Sequence, residues 1–200
     1  MSAVTPGLVP MLSVEEGARV GGAIGMRPEM ANIHFYRVLL NSPHVGLVEN
    51  HINDEILWKG LLAKRPEANR YRELAIMRVG WVSGCEYMWA HHYAPTVDKE
   101  LPGHRPDNVM GVREGASYAG FDEGEKTVMT AVDEMVKQGR VSADTVTKLR
   151  SHLESDGELV ELVWVIAVWN GLSSIMKSLE TPLEPGYEAW APDGVGPTGV

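Results

Sequence analysis

Residues 72–92 read RELAIMRVGWVSGCEYMWAHH, and this stretch decides the fold. Apolar residues recur at helical intervals in its first half, and Ser83-Gly84 then favours a break. Ser83 and Glu86 have the spacing of a capping box, in which the serine caps a new helix and the glutamate reaches back to it. The stretch predicts two helices joined by a short turn, with the second starting at Cys85. The alternative of one continuous helix, in which Gly84 is tolerated, stays open.

The rest of the chain is also helical in pattern. Pro28 and Pro43 each stand where a proline is tolerated, in the first turn of a helix. Residues 94–120, rich in proline and glycine, predict a long connection with at most one short helix near 108–113. Three further helices are predicted at 122–139, 142–155 and 158–179. With no strand-like alternation, the sequence predicts an all-α fold, a helical bundle of about seven helices.

Length and local composition divide the chain into three parts. A chain of 200 residues is long enough for one ordinary domain and too short for two. We assign 1–27 to an N-terminal extension, 28–180 to the helical domain and 181–200 to a Pro/Gly-rich C-terminal tail. The tail has little apolar periodicity, so we expect it to wrap over a neighbour or to fray.

Charge and cysteine content exclude several classes of protein. A net charge of −9 and a pI near 5.2 would repel a phosphate backbone, so no nucleic-acid partner is expected. A single cysteine excludes an internal disulfide.

The apolar window 159–176 contains Glu161 and Asn170, which favours a buried helix over a membrane span. The first ten residues lack a secretory signal pattern, so we expect a cytoplasmic protein without a membrane partner.

Residues 72–92 resemble the signature of the carboxymuconolactone decarboxylase and alkylhydroperoxidase D superfamily. That signature has an Arg-Glu-Leu helix, a short break and a second helix that ends in a histidine. Residues 35–43 and 168–172 resemble the upstream and closing helices of the family, so the resemblance spans about 28–186. It implies a bundle of the alkylhydroperoxidase D-like type that acts on a small-molecule substrate. It also implies a homo-oligomer, a trimer or a multiple of three, with sites near subunit interfaces.

The resemblance assigns roles residue by residue. Glu73 matches the relay glutamate of the family, and His92 matches the histidine that ends the motif. Cys85 matches the first cysteine of the redox pair, but Met88 occupies the position of the cysteine that attacks peroxide, and Tyr87 lies between them. A thioether cannot form the disulfide that completes a peroxidase cycle. The implied chemistry therefore shifts towards proton transfer.

Elementary physical chemistry suggests how these residues would act. At a helix start, the Cys85 thiol would lie near the positive end of the helix dipole, which lowers a thiol pKa. Cys85 and His92 are seven residues apart, so they are expected on one helix face. Glu73 on the preceding helix would orient and charge the imidazole, while Tyr87 and Cys85 supply hydrogen bonds or a second acid. Pocket walls that contact the substrate are expected from Trp81, Met88 and Trp89.

Each of these residues also has a structural interpretation. A lone cysteine is more often a buried small hydrophobic residue than a catalyst, and His92 could be a core or surface histidine. For Glu73, a salt bridge with Arg70 or Arg78 stays open. The two tryptophans could simply form core.

Metal and cofactor sites are not indicated. Adjacent His91 and His92 diverge by about 100° on a helix, so they cannot both face one ion. His51 and Glu55 have ligand spacing, yet a solvated or interface pair explains them better. No phosphate-binding glycine loop is present. We therefore expect no metal and no cofactor.

Three functions remain as hypotheses. The first is a cofactor-free lyase or isomerase acting by acid–base proton transfer on a small carboxylated, lactone-like or aromatic-derived molecule, in a pathway of aromatic compound degradation. The second is a thiol peroxidase or antioxidant protein that uses Cys85 alone. The third is a non-catalytic oligomeric binding protein, which a wide separation of Glu73 and His92 would favour.

Overall fold

Helix α4, Pro66–Val82, lies at the centre of a bundle and packs against three later helices, α5 (Glu86–Val97), α7 (Glu123–Gln138) and α9 (Asp156–Ser178). The computed structural model describes residues 7–97, 105 and 108–199, and within these ranges it has nine α-helices and no strand. The other α-helices are α1 Val14–Ala23, α2 His34–Leu39, α3 Pro43–Ile52, α5 Glu86–Val97, α6 Gly111–Glu114, α7 Glu123–Gln138, α8 Ala143–Arg150 and α9 Asp156–Ser178. The predicted all-α bundle is confirmed.

From Arg70 to Gly80, helix α4 is buried on every side although this part carries four charged side chains. Arg70, Arg72, Glu73 and Arg78 are each at most 7% exposed. Buried charges are costly unless they are paired. Arg70 pairs with Glu125 of α7, Arg72 pairs with Glu73, and Arg78 holds both carboxylate oxygens of Asp133 of α7 at 2.8 and 2.9 Å.

The α4–α5 hairpin confirms the two predicted helices and corrects their junction. Helix α4 ends at Val82, and Gly84 has φ of +67°, a left-handed conformation that favours glycine. Helix α5 begins at Glu86, one residue after Cys85. The predicted capping box is wrong, because the Ser83 hydroxyl hydrogen-bonds to the Ser173 hydroxyl of α9 at 2.6 Å instead.

Several helix boundaries differ from the sequence prediction. The predicted extension contains α1, which begins with a capping box formed by Ser13 and Glu16. The run that starts at Pro43 is split, because α3 ends at Ile52 and is followed by the π-helical segment Asn53–Trp58. Helix α5 continues past Pro95, and the described part of the following connection contains α6 and a 3₁₀ turn. Residues 98–104, 106 and 107 of the predicted connection lie outside the described residues.

The most apolar helix, α9, owes its composition to its position in the core. It has the length and hydropathy of a membrane span. It packs against α4, α7 and α8, and Leu162, Val165 and Ile166 are fully buried. This packing accounts for the buried face of the apolar run, whereas Val160 and Ile175 on the same helix are exposed.

The C-terminal tail, as far as residue 199, packs on its own chain. Trp89 Nε1 donates to the Ala191 carbonyl at 2.8 Å, and Arg113 binds both carboxylate oxygens of Asp193 at 2.9 Å. Trp190 lies edge-on to Trp81, with ring centroids 5.6 Å apart. The predicted fraying is wrong over this range, whereas wrapping over a neighbouring subunit stays a prediction. Indole and guanidinium donors on the domain supply contacts that apolar periodicity does not reveal.

Candidate active site

The α4–α5 hairpin brings Glu73 and His92 into contact. Because the chain reverses within three residues, the middle of α4 lies beside the middle of α5. Glu73 Oε2 and His92 Nδ1 are 2.9 Å apart, a normal hydrogen-bond distance. Sequence reasoning placed both residues in the site, and the structure brings them together.

Arg72 holds the second oxygen of the same carboxylate. Its Nε and Nη2 atoms donate to Glu73 Oε1 at 3.0 and 2.7 Å, and its Nη1 donates to the Leu57 carbonyl at 2.9 Å. Burial opposes ionisation of Glu73, but hydrogen bonds and charges from His92 and Arg72 outweigh it and hold the pKa of Glu73 at about 2. The alternative in which Glu73 forms a salt bridge with Arg70 or Arg78 is wrong, because each of these arginines pairs with an acidic residue of α7.

The ionised Glu73 carboxylate determines which His92 nitrogen carries the proton. A carboxylate can only accept, so Nδ1 of His92 must be the donor in this contact. The neutral ring then has its lone pair on Nε2, which makes no hydrogen bond within the described ranges. The side chain is 19% exposed. Nε2 is thus the nitrogen left for a ligand, as a base when neutral and as an acid when protonated.

Two cavities meet at His92. The first, here called the Met88 cavity, has a volume of about 250 Å³ and includes His92, Met88 and Glu49 in its lining. The second, the Pro95 cavity, has a volume of about 560 Å³ and is lined by Arg72, Glu73, His92 and Pro95. Both share the side chains of Leu57 and Trp58. Most of the Met88 cavity is apolar, with walls from Met30, Ile33, Phe35, Trp169, Leu172 and Met176.

Within the described part of the chain, Cys85 lines neither of the two cavities that meet at His92. It lines a separate space of about 440 Å³, the Cys85 cavity, together with Lys177 and Glu180. The six helical steps from Glu86 to His92 alone span about 9 Å along the axis of α5, so Cys85 and His92 lie at different levels of the hairpin. Because Cys85 precedes α5, its side-chain direction does not follow the periodicity of that helix.

The expected lowering of the Cys85 pKa is also wrong. The thiol is 1% exposed and lies 3.8 Å from the Met176 sulfur. Burial raises the pKa of Cys85 above its usual value, and hydrogen bonds from the Met88 backbone and Ser173 offset this only in part.

Tyr87 and His91 are tied to the tail through Glu184. The Tyr87 hydroxyl donates to Glu184 Oε1 at 2.7 Å and accepts from the Phe35 amide at 3.0 Å. His91 Nε2 donates to Glu184 Oε2 at 2.7 Å, and the His91 ring stacks between Tyr87 and Tyr187. The ring of Tyr87 lines the Met88 cavity, but its hydroxyl is already engaged on both sides. This occupancy argues against its predicted role as a second acid.

Of the predicted substrate contacts, Met88 alone lines a cavity with His92. Trp81 and Trp89 pack against each other and against Trp190, with ring centroids 5.3 to 6.1 Å apart, and line neither cavity that meets at His92. The guanidinium of Arg113 lies over both of their rings. These two tryptophans therefore anchor the tail, as the core interpretation expected.

Sequence reasoning missed several residues of this region. Arg72 stands beside Glu73 in the quoted stretch, and its adjacency is the signal that could have identified it. Glu184 lies in a segment without periodicity, so no local pattern points to it. Glu49 lies on α3, and only the folded cavity brings it near His92.

Among the described residues, no group of three His, Cys, Asp or Glu side chains has the arrangement of a metal site.

Replacement of Glu73 by Gln should change stability in a pH-dependent way. The pKa of Glu73 in the folded protein is about 2, below its ordinary value of 4.5. Its charge therefore stabilises the fold above pH 4.5, and this contribution is lost as the pH falls through 2. Urea unfolding should show a deficit on the order of 3 kcal/mol at pH 7 that shrinks towards pH 2. Exposed Glu67 on the same helix is the matched control, and Glu67→Gln should have little effect. An equal deficit for Glu73→Gln at every pH would contradict the ionised pair.

Comparisons with known proteins agree with this architecture. No family model and no curated protein matches the sequence. A crystal structure of an uncharacterised peroxidase-related protein from Silicibacter sp. TM1040 superposes with a TM-score of 0.67 at 16% identity, covering 92% of this chain and 95% of that one. A protein of unknown function from Agrobacterium tumefaciens, proposed to be an antioxidant defence protein AhpD, gives a TM-score of 0.59 at 19% identity, with coverages of 72% and 94%. The chain therefore has the fold of the alkylhydroperoxidase D-like proteins.

Proposed function

We propose that this protein is a cofactor-free lyase or isomerase of the carboxymuconolactone decarboxylase type, which moves a proton through His92. The observation that carries the proposal is the contact between ionised Glu73 and His92 Nδ1, which leaves Nε2 without a hydrogen-bond partner within the described ranges. The same carboxylate stabilises the imidazolium that forms when Nε2 takes up a proton. Glu73 acts through His92, so it is a positioning residue.

The proposed reaction needs only one acid–base group at the reacting carbon. In decarboxylation, the bond between the carboxylate and its carbon breaks, and the electron pair of that bond remains on the substrate as an enolate. Protonated His92 then delivers its Nε2 proton to that carbon. In isomerisation, neutral His92 removes a proton from one carbon and returns it to another. Nothing is oxidised or reduced in either case.

The Met88 cavity fits a small and largely apolar substrate. Its volume of about 250 Å³ and its methionine and aromatic walls are typical of a pocket for a small molecule, with His92 among a few polar lining groups. The hypothesis of a non-catalytic binding protein loses its main reason, because Glu73 and His92 lie within hydrogen-bond distance.

Carboxymuconolactone and muconolactone are suitable probes of this activity. We expect release of CO₂ from the first, or exchange of an α-carbon proton with D₂O in either, followed by NMR. His92→Ala should lower the rate by about 10²–10⁴-fold because the proton-transfer group is lost. His44→Ala, at an exposed histidine of α3, is the matched control and should leave the rate unchanged. Full activity in His92→Ala would refute the mechanism.

A thiol peroxidase that uses Cys85 alone is the second candidate, and the descriptions of the two structural neighbours favour it. In that reaction the Cys85 thiolate attacks a peroxide oxygen, the O–O bond breaks, and a sulfenic acid and an alcohol or water result. An external thiol would reduce the sulfenic acid. Burial of the thiol and its raised pKa argue against rapid attack.

Peroxide treatment tests the second candidate directly. If Cys85 is a slow, buried thiol, organic peroxide should be consumed at the same rate by the wild type and by Cys85→Ser, and mass spectrometry with a sulfenic-acid trap should find no adduct. Rapid consumption that depends on Cys85, with a trapped sulfenic acid, would establish the peroxidase instead.

The homo-oligomer, the cytoplasmic location and the aromatic degradation pathway stay predictions.

A further inference from the structure

A second carboxyl group, that of Glu49, lines the Met88 cavity together with His92. Glu49 lies on α3 and is 4% exposed. Its Oε1 accepts from Asn53 Nδ2 at 3.1 Å, whereas its Oε2 has no hydrogen-bond partner within the part of the chain that the structure describes. A carboxyl group on a cavity wall with one oxygen unused is a candidate for ligand binding, because titratable groups in unusual surroundings cluster at functional sites.

The groups around Glu49 do not supply a compensating cation. No Lys, Arg or His forms an ion pair with it among the described residues, and the guanidinium of Arg27 lies instead near Asp54 and Glu29, at 3.6 and 3.5 Å. Burial raises the pKa of Glu49 to about 8. At neutral pH the group is therefore a carboxylic acid with an O–H to donate. The other polar or titratable groups on this cavity are Arg27, Tyr36, Asn53, Tyr87, His91 and His92.

We propose that Glu49 is a further catalytic residue, which donates a hydrogen bond from its neutral carboxyl group to a carbonyl oxygen of the substrate. Asn53 is the positioning residue that holds the acceptor oxygen of the carboxyl, and it also contacts the Tyr36 hydroxyl. The proposal rests on proton transfer at His92 and deepens it. The substrate class that fits is a small lactone, ketone or ester with an acidic carbon next to its carbonyl group.

Glu49 and His92 then act at different atoms of the substrate in one proton transfer, Glu49 at the carbonyl oxygen and His92 at the neighbouring carbon. His92 Nε2 removes a proton from the carbon beside the carbonyl, the C–H electron pair forms the new carbon–carbon double bond, and the carbonyl π electrons move to oxygen. The resulting enolate oxygen accepts a stronger hydrogen bond from Glu49, because an acid in an apolar site stabilises developing negative charge. The proton returns from Nε2 to carbon as the enolate collapses. In decarboxylation the same enolate forms by loss of CO₂.

A neutral acid suits this task better than a cation. The guanidinium of Arg27, which also lines this cavity, lies near the carboxylates of Glu29 and Asp54 and is therefore not free to bind the carbonyl oxygen alone. A carbonyl oxygen needs only a donor, and the unused carboxyl oxygen of Glu49 supplies it.

Binding of 2(5H)-furanone, an unsaturated γ-lactone, tests the proposal independently of turnover. Infrared spectroscopy should show its carbonyl stretch shifted to lower frequency in the wild type and in Glu49→Gln, whose amide still donates. The shift should be absent in Glu49→Leu, which keeps the volume without a donor. An equal shift in Glu49→Leu, or no shift in the wild type at the highest soluble concentration, would overturn the proposal. Circular dichroism checks that each variant is folded.

Kinetics separate a catalytic role from a structural one. The wild-type rate on muconolactone should fall as the pH rises through about 8, because Glu49 then loses its proton. Glu49→Gln should keep activity within about tenfold and lose that alkaline limb, while Glu49→Leu should lose about 10²-fold. Unchanged profiles in both variants would contradict the role of Glu49. His92→Ala should keep the carbonyl shift, so failure of the proton-transfer function is distinguishable from failure of this inference.

Discussion

The arrangement of this protein depends on one buried carboxylate that has two partners of different kinds. Glu73 sits on the central helix α4, where an uncompensated charge could not persist. Arg72 neutralises one oxygen, and His92 donates to the other. The stability of the core and the protonation of the candidate catalytic histidine are therefore set by the same group. A change that weakens the α4–α5 hairpin would affect both.

The C-terminal tail adds a second carboxylate–histidine pair beside the first. Glu184 binds His91 and Tyr87, and it also accepts from the His34 amide at 2.6 Å. Burial opposes its ionisation, but these contacts hold the pKa of Glu184 at about 2. Adjacent histidines of α5 thus have different surroundings. His91 is stacked between two tyrosine rings and anchors the tail, whereas His92 keeps one nitrogen for a ligand.

Sequence reasoning predicted the elements that depend on local pattern. The α4–α5 hairpin follows from helical periodicity and from Gly84, and the pairing of Glu73 with His92 follows from the family resemblance that this hairpin carries. The direction of Cys85 could not be derived, because it lies in the turn, where neither helix sets its side chain. Local pattern also did not predict that the Trp89 indole would donate a hydrogen bond to Ala191 of the tail.

Long-range contacts account for most of what the sequence did not reveal. Glu49 and Glu184 reach the region of His92 from α3 and from the tail, 43 and 92 residues away along the chain. No local sequence pattern identifies either glutamate. Each becomes distinctive only because the fold buries its carboxyl group. The Arg70–Glu125 and Arg78–Asp133 pairs are likewise set by how α7 packs on α4.

The tautomer of His92 tests the central claim most directly. Long-range ¹H–¹⁵N correlation spectra of the neutral imidazole report which ring nitrogen carries the proton. The account predicts a proton on Nδ1 and a lone pair on Nε2 in the wild type, with this preference lost in Glu73→Gln. A neutral ring protonated on Nε2 in the wild type would contradict it, because the nitrogen without a protein partner could then not accept a proton from the substrate.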